Sequence, residues 1–263
     1  MFAEERQQLI VGLVTASGRA SVTDLAERFS ITTETVRRDL AALEAAGSVR
    51  RVHGGAVSPD RFSTTEESIL VRTDQRQPEK TRIAQAALAL IPQDGTGSIL
   101  VDAGSTTEAL AELLAARTAA AAPASELVVI THSLPVAVRL SGEPGIALHM
   151  LGGKVRGITQ AAVGQSTVEA ARRIRPDIAF IGTNGIHAAF GLSTPDPEEA
   201  AVKAAFVQSA RRIVVLADAS KLDAETLVQF ASLKDLDTLI TDTKPSQDLA
   251  DALTDAGVEV VVA

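Results

Sequence analysis

Apolar residues recur at helical spacing through the first fifty or so positions and at strand-like intervals later on, and this change of period divides the chain. Leu9, Ile10, Leu13 and Val14 form one stripe, ended by Gly18. Ser21 and Asp24 have the spacing of a capping box for a second helix, Val22 to Phe29. After the short turn Ser30 to Thr32 a third helix opens, with Thr32 as its N-cap. Val36, Leu40 and Leu43 turn one side of it into a core, so at about 100° per residue Glu34, Arg37, Arg38 and Ala41 point outward, flanked by Thr33 and Thr35. Gly47 stops this helix. Val49 to Val57, alternating around a Gly54–Gly55 turn, reads as a hairpin.

Residues 58–78 carry charges, two prolines and no sustained periodicity, and are expected to be a linker. From Glu79 onward strand-like runs alternate with helical patterns: Ile99 to Asp102, Leu127 to Thr131, Ala147 to Leu151, Ile178 to Ile181, Ile213 to Ala217, Leu239 to Thr241 and Val258 to Val262. Strands spaced by helices imply crossover connections and a mostly parallel, Rossmann-like sheet. The small-residue run Ala119 to Ala124 is expected to be a loop. The architecture is therefore an N-terminal all-α, winged helix-turn-helix domain over 1–57 (helix-turn-helix about 20–39, wing about 49–57), the linker, and an α/β domain over 79–263.

Composition narrows the chemistry. A chain of 263 residues with 46% hydrophobic content has room for two cores. It has no cysteine, and four scattered histidines lack metal-ligand spacing, so no metal and no cofactor is expected. Glu4 and Glu5 in place of a basic leader, and the lack of an apolar run near about 18 residues, point to a cytoplasmic protein with no membrane role. The net charge of -8 is unevenly spread: residues 1–57 hold seven Arg against seven acids, leaving 18 basic and 26 acidic residues beyond them. The first segment alone is suited to phosphates, provided its arginines gather on one side. Two short helices, a tight turn and an exposed Arg pair match a recognition helix entering the major groove of double-stranded DNA. The candidates for contact are Thr33, Glu34, Thr35, Arg37, Arg38, Arg51, His53 and Gly54. An Arg-Arg pair alone is an ordinary solvated face, and His53 fits turn stabilisation as well as a phosphate contact.

The run V-T-D-L-A-E-R-F-S-I-T-T-E-T-V-R-R-D-L from Val22 to Leu40, followed by R-V-H-G-G-A from Arg51 to Ala56, resembles the DeoR family of bacterial regulators. The likeness extends through K-T-R-I-A from Lys80, D-A-G-S-T-T from Asp102, G-T-N-G-I from Gly182, G-L-S-T-P-D from Gly191, E-A-A-V-K from Glu199 and A-D-A-S-K from Ala217. It implies a sensor domain resembling sugar-phosphate isomerases, a phosphorylated sugar or polyol as effector and repression as the mode of action; a homo-dimer or homo-tetramer is expected because a lone winged helix offers few base contacts, which paired half-sites multiply. Two residues depart from the family pattern. His132, after Thr131, stands where Asn is more usual, and Ser105 replaces Thr.

The residues themselves agree. Asp102 ends a strand, Gly104 permits a sharp turn and Ser105 begins a helix whose amides face the sheet edge, a favourable place for an anion. Thr106 and Thr107 could face a phosphate and Asp102 sugar hydroxyls, yet Ser105 to Glu108 is also an ordinary capping box. Lys203 and Lys221 are the cations nearest strand ends, with Asp218 beside Lys221 in the same motif. Gly153 and Asn184–Gly185 would let backbone approach a ligand, although tight turns explain them too. The effector set is thus Asp102, Gly104, Ser105, Thr106, Thr107, Thr131, His132, Gly153, Asn184, Gly185, Lys203, Asp218 and Lys221. A second function class stays open, a sugar-phosphate isomerase with an accessory DNA-binding module. Asp102 or Glu199 would be its base and Lys203 its electrophilic partner.

Overall fold

A computed structural model describes residues 2–17, 19–52, 54–57, 63–120 and 126–263. The chain forms two compact units, Met1–Thr65 and Glu66–Ala263.

In the first unit α1 (Ala3–Ser17) leads into β1 (Arg19–Ser21), α2 (Val22–Phe29), α3 (Thr33–Ala45), β2 (Arg50–Val52) and β3 (Gly55–Val57). The expected caps are present: Ser21 Oγ accepts the Asp24 N–H at 3.0 Å and Thr32 Oγ1 that of Thr35 at 3.2 Å. Ile10, Val14, Leu25, Val36, Leu40 and Leu43 fill the core. Leu9, expected in that stripe, is instead half exposed, because the buried face of α1 is continued through Arg6. Arg6 Nε donates to Asp39 Oδ2 at 2.6 Å and Gln7 Nε2 donates to Oδ1 at 3.0 Å, so the one acid of α3 that faces inward binds α1 to α3. The hairpin of β2 and β3 gains a third strand that was not expected, in the order β1-β3-β2. Gly18 lies outside the described residues.

The second unit starts earlier than its periodicity implied. Within the expected linker, α4 (Ile69–Asp74) and the start of α5 (Gln77–Leu88) belong to it. The buried Ile69 anchors them, its N–H donating to Ile158 O at 2.8 Å. Six residues are too short for a helical period to be read, which is why the stretch looked featureless. There follow β4 (Ser98–Val101), α6 (Ser105–Ala120), β5 (Leu127–Thr131), α7 (Leu134–Leu140), β6 (Ile146–Met150), the hairpin β7 (Lys154–Arg156) and β8 (Ala161–Val163), and α8 (Gln165–Arg172). The second half continues with β9 (Ile178–Gly182), β10 (Gly185–His187), β11 (Gly191–Thr194), α9 (Pro197–Ser209), β12 (Ile213–Leu216), β13 (Val228–Ala231), β14 (Thr238–Thr241), α10 (Gln247–Asp255) and β15 (Glu259–Val262). The loop expected from Ala119 begins inside α6, since alanine favours helix, and residues 121–124 lie outside the described residues.

All seven anticipated strands form one parallel sheet, ordered β15-β14-β12-β9-β4-β5-β6. Side chains alternate between its faces. Ile99, Val129, Phe180 and Val214 pack with α5, α6 and α7, while Leu100, Ile130, Ile181 and Val215 pack with the α8, α9 and α10 layer. Chain order reverses between β4 and β9, and the C-terminal ends of two such strands border the crevice where doubly wound sheets bind ligands.

One glycine of the wing is fixed by contact rather than by turn geometry. A Cβ on Gly55 would lie 2.3 Å from the carbonyl oxygen of Ala20 in β1. Gly55→Ala should therefore force β1 and β3 apart and destabilise the first unit by about 1–3 kcal/mol. Hydrogen exchange on the full chain checks this: protection should fall across 19–57 and stay unchanged across 98–262.

Candidate functional site

Each unit offers one candidate site. In the first, Thr33, Glu34, Arg37 and Arg38 are exposed on α3, opposite its buried Val36–Leu40 face, and Thr35 is half-buried beside them. Glu34 stands 3.8 Å from Arg37 Nη1 and 3.7 Å from Arg38 Nε, loose solvated pairs that leave both guanidinium groups able to take other partners. On the wing, Arg51 pairs with Glu44 at 3.3 Å. Gly54 adopts φ +76° and its carbonyl accepts the Val22 N–H at 2.7 Å, so the turn is secured to the start of α2. His53 lies outside the described residues.

In the second unit the site is built on Asp102, the residue after β4, whose carboxylate is fully buried. Its Oδ2 accepts hydrogen bonds from the Gly182 N–H at 2.9 Å and from Lys203 Nζ, and Lys203 also donates to Gly182 O at 3.0 Å. Its Oδ1 lies 2.9 Å from His132 Nε2, and Nδ1 of that ring is 2.7 Å from Ala162 O. Burial alone would push this carboxyl up, but the Lys203 charge and the His132 hydrogen bond outweigh it and hold Asp102 at about 2. β4, β5, β8, β9 and α9 are thus pinned around a single anion.

Above this centre opens a cleft of about 570 Å³, counting the part open to solvent. Gly104, Ser105, Thr106, Thr107, Asn184, Lys203, Asp218 and Lys221 line it, as the sequence suggested. The helix α6 starts at Ser105 itself, with the Gly104 carbonyl accepting the Glu108 N–H at 2.9 Å. Ser105 is therefore a first-turn residue rather than the expected cap, and the first-turn amides of α6 have no intrahelical acceptor. Thr107 Oγ1 donates to Gly104 O at 2.8 Å, which commits that hydroxyl to the turn.

Four expected residues have other work. Thr131 Oγ1 donates to Val101 O at 2.7 Å and fixes β5 to β4. His132 is buried beneath the cleft, where its Nε2 lies against Asp102 and 3.2 Å from the backbone N–H of Ala103. Gly153 and Gly185 are spacers: a Cβ would lie 2.1 Å from Thr167 Oγ1 in the first case and 2.4 Å from Ala224 O in the second. Asp102 itself has no oxygen left for a sugar hydroxyl.

Three cations were missed because they fall in the supposed linker or at its edge. Arg72, Arg76 and Lys80 join Lys203 and Lys221 in the lining, against Glu199 and Asp218, which leaves three net positive charges. Arg76 takes the left-handed backbone, φ 52°, unusual without glycine, and its guanidinium stands 3.4 Å from both Asp218 and Asp242. Lys80 Nζ donates to Arg72 O and, at 2.7 Å, to Gln75 O. Burial pulls Lys80 down to about 8, Asp218 opposing this and Lys221, Arg72 and Arg76 adding to it. The K-T-R-I-A likeness at Lys80 was the one available signal. Nε of Arg72 is buried with no hydrogen-bond partner among the described residues. Glu199 is held by Arg156 Nη1 at 2.8 Å and by Thr159, and Arg156 also binds Glu66 at 2.9 Å and Asp196 at 3.3 Å.

The descriptions "DeoR-like helix-turn-helix domain" and "DeoR C terminal sensor domain" match residues 6–62 and 75–243. The chain belongs to the DeoR family of transcriptional regulators. It is 34% identical to the HTH-type transcriptional regulator GlpR of Haloferax volcanii, over 99% of this chain and 98% of that one. It is 32% identical to the HTH-type transcriptional repressor GlcR of Bacillus subtilis, over 100% and 97%. A ribose 5-phosphate isomerase A from Methanocaldococcus jannaschii aligns over 56% of this chain and 54% of its own, with 20% identity and a TM-score of 0.41. In this DeoR-family chain, as among its full-length relatives, the reader and the sensor share one polypeptide.

Removing one partner of the buried pair should cost far more than removing both. Lys203→Met leaves Asp102 unpaired and should destabilise the second unit by about 3–5 kcal/mol, and Asp102→Leu combined with it should recover most of that. The depressed Asp102 carboxyl contributes stability above its unfolded value, on the order of 2 kcal/mol, lost as pH falls from about 4 toward 2. Urea unfolding of the parent and both variants at pH 7 and pH 3 measures each quantity.

Proposed function

We propose that this protein is a cytoplasmic repressor of genes for sugar or polyol catabolism, binding an operator through α3 and the wing and releasing it when a phosphorylated sugar or polyol fills the cleft of the second unit. The observation that carries the reading is the cleft itself: five cations and a helix N-terminus gathered in a chain of net charge -8. A phosphate dianion suits that charge and the unpartnered Arg72 Nε. The names of full-length relatives support it, among them the glycerol-3-phosphate regulon repressor of Escherichia coli, 29% identical, and the lactose phosphotransferase system repressor of Streptococcus mutans, 33% identical. A homo-dimer or homo-tetramer fits a single short recognition helix, since paired half-sites about 34–36 Å apart multiply its contacts.

Turnover fits the same residues poorly. The two carboxylates an isomerase would use as base are engaged, Asp102 by Lys203 and His132, and Glu199 by Arg156 and Thr159. A base held at about 2 has little tendency to remove a carbon-bound proton.

Arg37→Ala with Arg38→Ala should weaken operator binding at fixed salt by about 2 kcal/mol or more, roughly thirtyfold, with stability unchanged to about 0.5 kcal/mol. Fluorescence anisotropy on operator DNA and a melting curve decide this; an unchanged affinity removes the pair from the reading surface. For the cleft, a bound dianion favours charged Lys80, whereas the empty site releases its proton near pH 8. Binding of a sugar phosphate should then take up a proton above about pH 8 and weaken by up to about tenfold per pH unit beyond it. Calorimetry at pH 9 in two buffers of different ionisation heat would reveal the uptake as a difference between the observed heats, and equal observed heats would exclude Lys80 from the site.

A further inference from the structure

Beside the cation-lined cleft, α4, α5, α6 and α7 border a second trough of about 930 Å³, counting its open part, and the two share Lys80 and Ser105 as a common shoulder. One side of the trough is apolar, with Ala109, Pro135 and Val136. The other carries Glu108, in the first turn of α6. Its Oε2 lies 3.3 Å from Thr73 Oγ1, whose single proton is shared with Ile69 O at 2.9 Å, while Oε1 is shut off from solvent and has no partner among the described residues. Such an oxygen normally has a donor, so its orphan state marks a place where one is missing. Burial pushes the Glu108 carboxyl up, with Thr73, Arg72 and Lys80 pulling the other way, as expected of a group short of hydrogen bonds.

We propose that this trough holds the hydroxylated carbon chain of the ligand whose phosphate occupies the neighbouring cleft, with Glu108 and Thr73 as the residues that recognise its hydroxyls. The proposal rests on the anion-binding reading of that cleft. Charge fixes the direction of the ligand, because Glu108 repels a phosphate that the five cations attract. A carboxylate oxygen accepts from a hydroxyl, and Thr73 Oγ1, its proton directed to Ile69 O and Glu108, accepts from the next one along the chain. The apolar side supports the carbon skeleton. Phosphate contacts alone would bind every phosphorylated metabolite alike, so discrimination needs groups of this kind outside the cradle.

The test uses the full chain, its Glu108→Gln and Thr73→Val variants, and three probes followed by calorimetry: inorganic phosphate, glycerol 3-phosphate and sorbitol 6-phosphate. The parent should bind at least one polyol phosphate more tightly than inorganic phosphate. Each variant, melting like the parent, should lose about tenfold for that polyol phosphate and keep inorganic phosphate within about twofold. Undiminished polyol-phosphate binding in both variants overturns the assignment of Glu108 and Thr73, as does a parent with no preference over inorganic phosphate. A parent that binds neither inorganic phosphate nor the polyol phosphates overturns the cleft reading and this inference with it, a result distinct from the other two.

Discussion

The buried pair of Asp102 and Lys203 is the constraint around which the second unit is arranged. An ion pair this deep is an expensive way to stabilise a fold, because desolvation cancels much of the attraction. Its value lies in geometry. Asp102 follows β4, Lys203 projects from α9, Gly182 closes β9 and His132 follows β5, so one carboxylate sets the spacing of strand ends where chain order reverses. The packing around it is apolar and close: Phe206 meets the His132 ring edge-on at 5.0 Å, and Lys203 Nζ lies 5.7 Å over the Phe230 ring. The cleft above inherits its shape from this arrangement. With both oxygens of Asp102 occupied, the floor offers no free carboxylate, and the acids left in the lining are Glu199 and Asp218.

Much of this was legible from the chain. The seven parallel strands stand where apolar runs of three to five residues were seen, because a strand buried on both faces, as the five inner ones are, needs such a run. The caps at Ser21 and Thr32 and the buried side of α3 followed from side-chain chemistry and helical period. The short elements were not legible. β1, β7, β8, β10, β11 and β13 have three or four residues each, too few to display alternation, and α4 has a single turn and a half. Their absence from the reading concealed half the cleft, since Arg72 and Arg76 belong to that stretch.

The candidate residues divide on similar lines. Residues identified from a helix start, Gly104 to Thr107, came out at the cleft because backbone direction alone puts them there. Residues identified from a strand end or a glycine came out mixed. Thr131, His132, Gly153 and Gly185 lie near the site in sequence pattern but serve packing, and no feature of the sequence distinguishes a glycine needed for a ligand from one needed for a neighbouring carbonyl. Asp102 and Lys203 were recognised as polar and well placed, yet pairing across 101 residues of chain leaves no local signature.

One of the cations that line the cleft, Arg72, also stands near the residue where the second unit begins. Glu66 is bound by Arg156 at 2.9 Å and stands 4.0 Å from Arg72, while Arg156 holds Glu199 and Arg72 lines the cleft. Glu66 Oε1 has no hydrogen bond among the described residues, where these charges offset its burial. An anion drawing Arg72 inward would weaken that support, and Glu199 and Glu66 would then divide Arg156 differently. Arg72, which lines the cleft, thus stands beside Glu66, the first residue of the second unit. A ligand without charge would leave the balance untouched however well it fitted, because only a differential interaction shifts such an equilibrium.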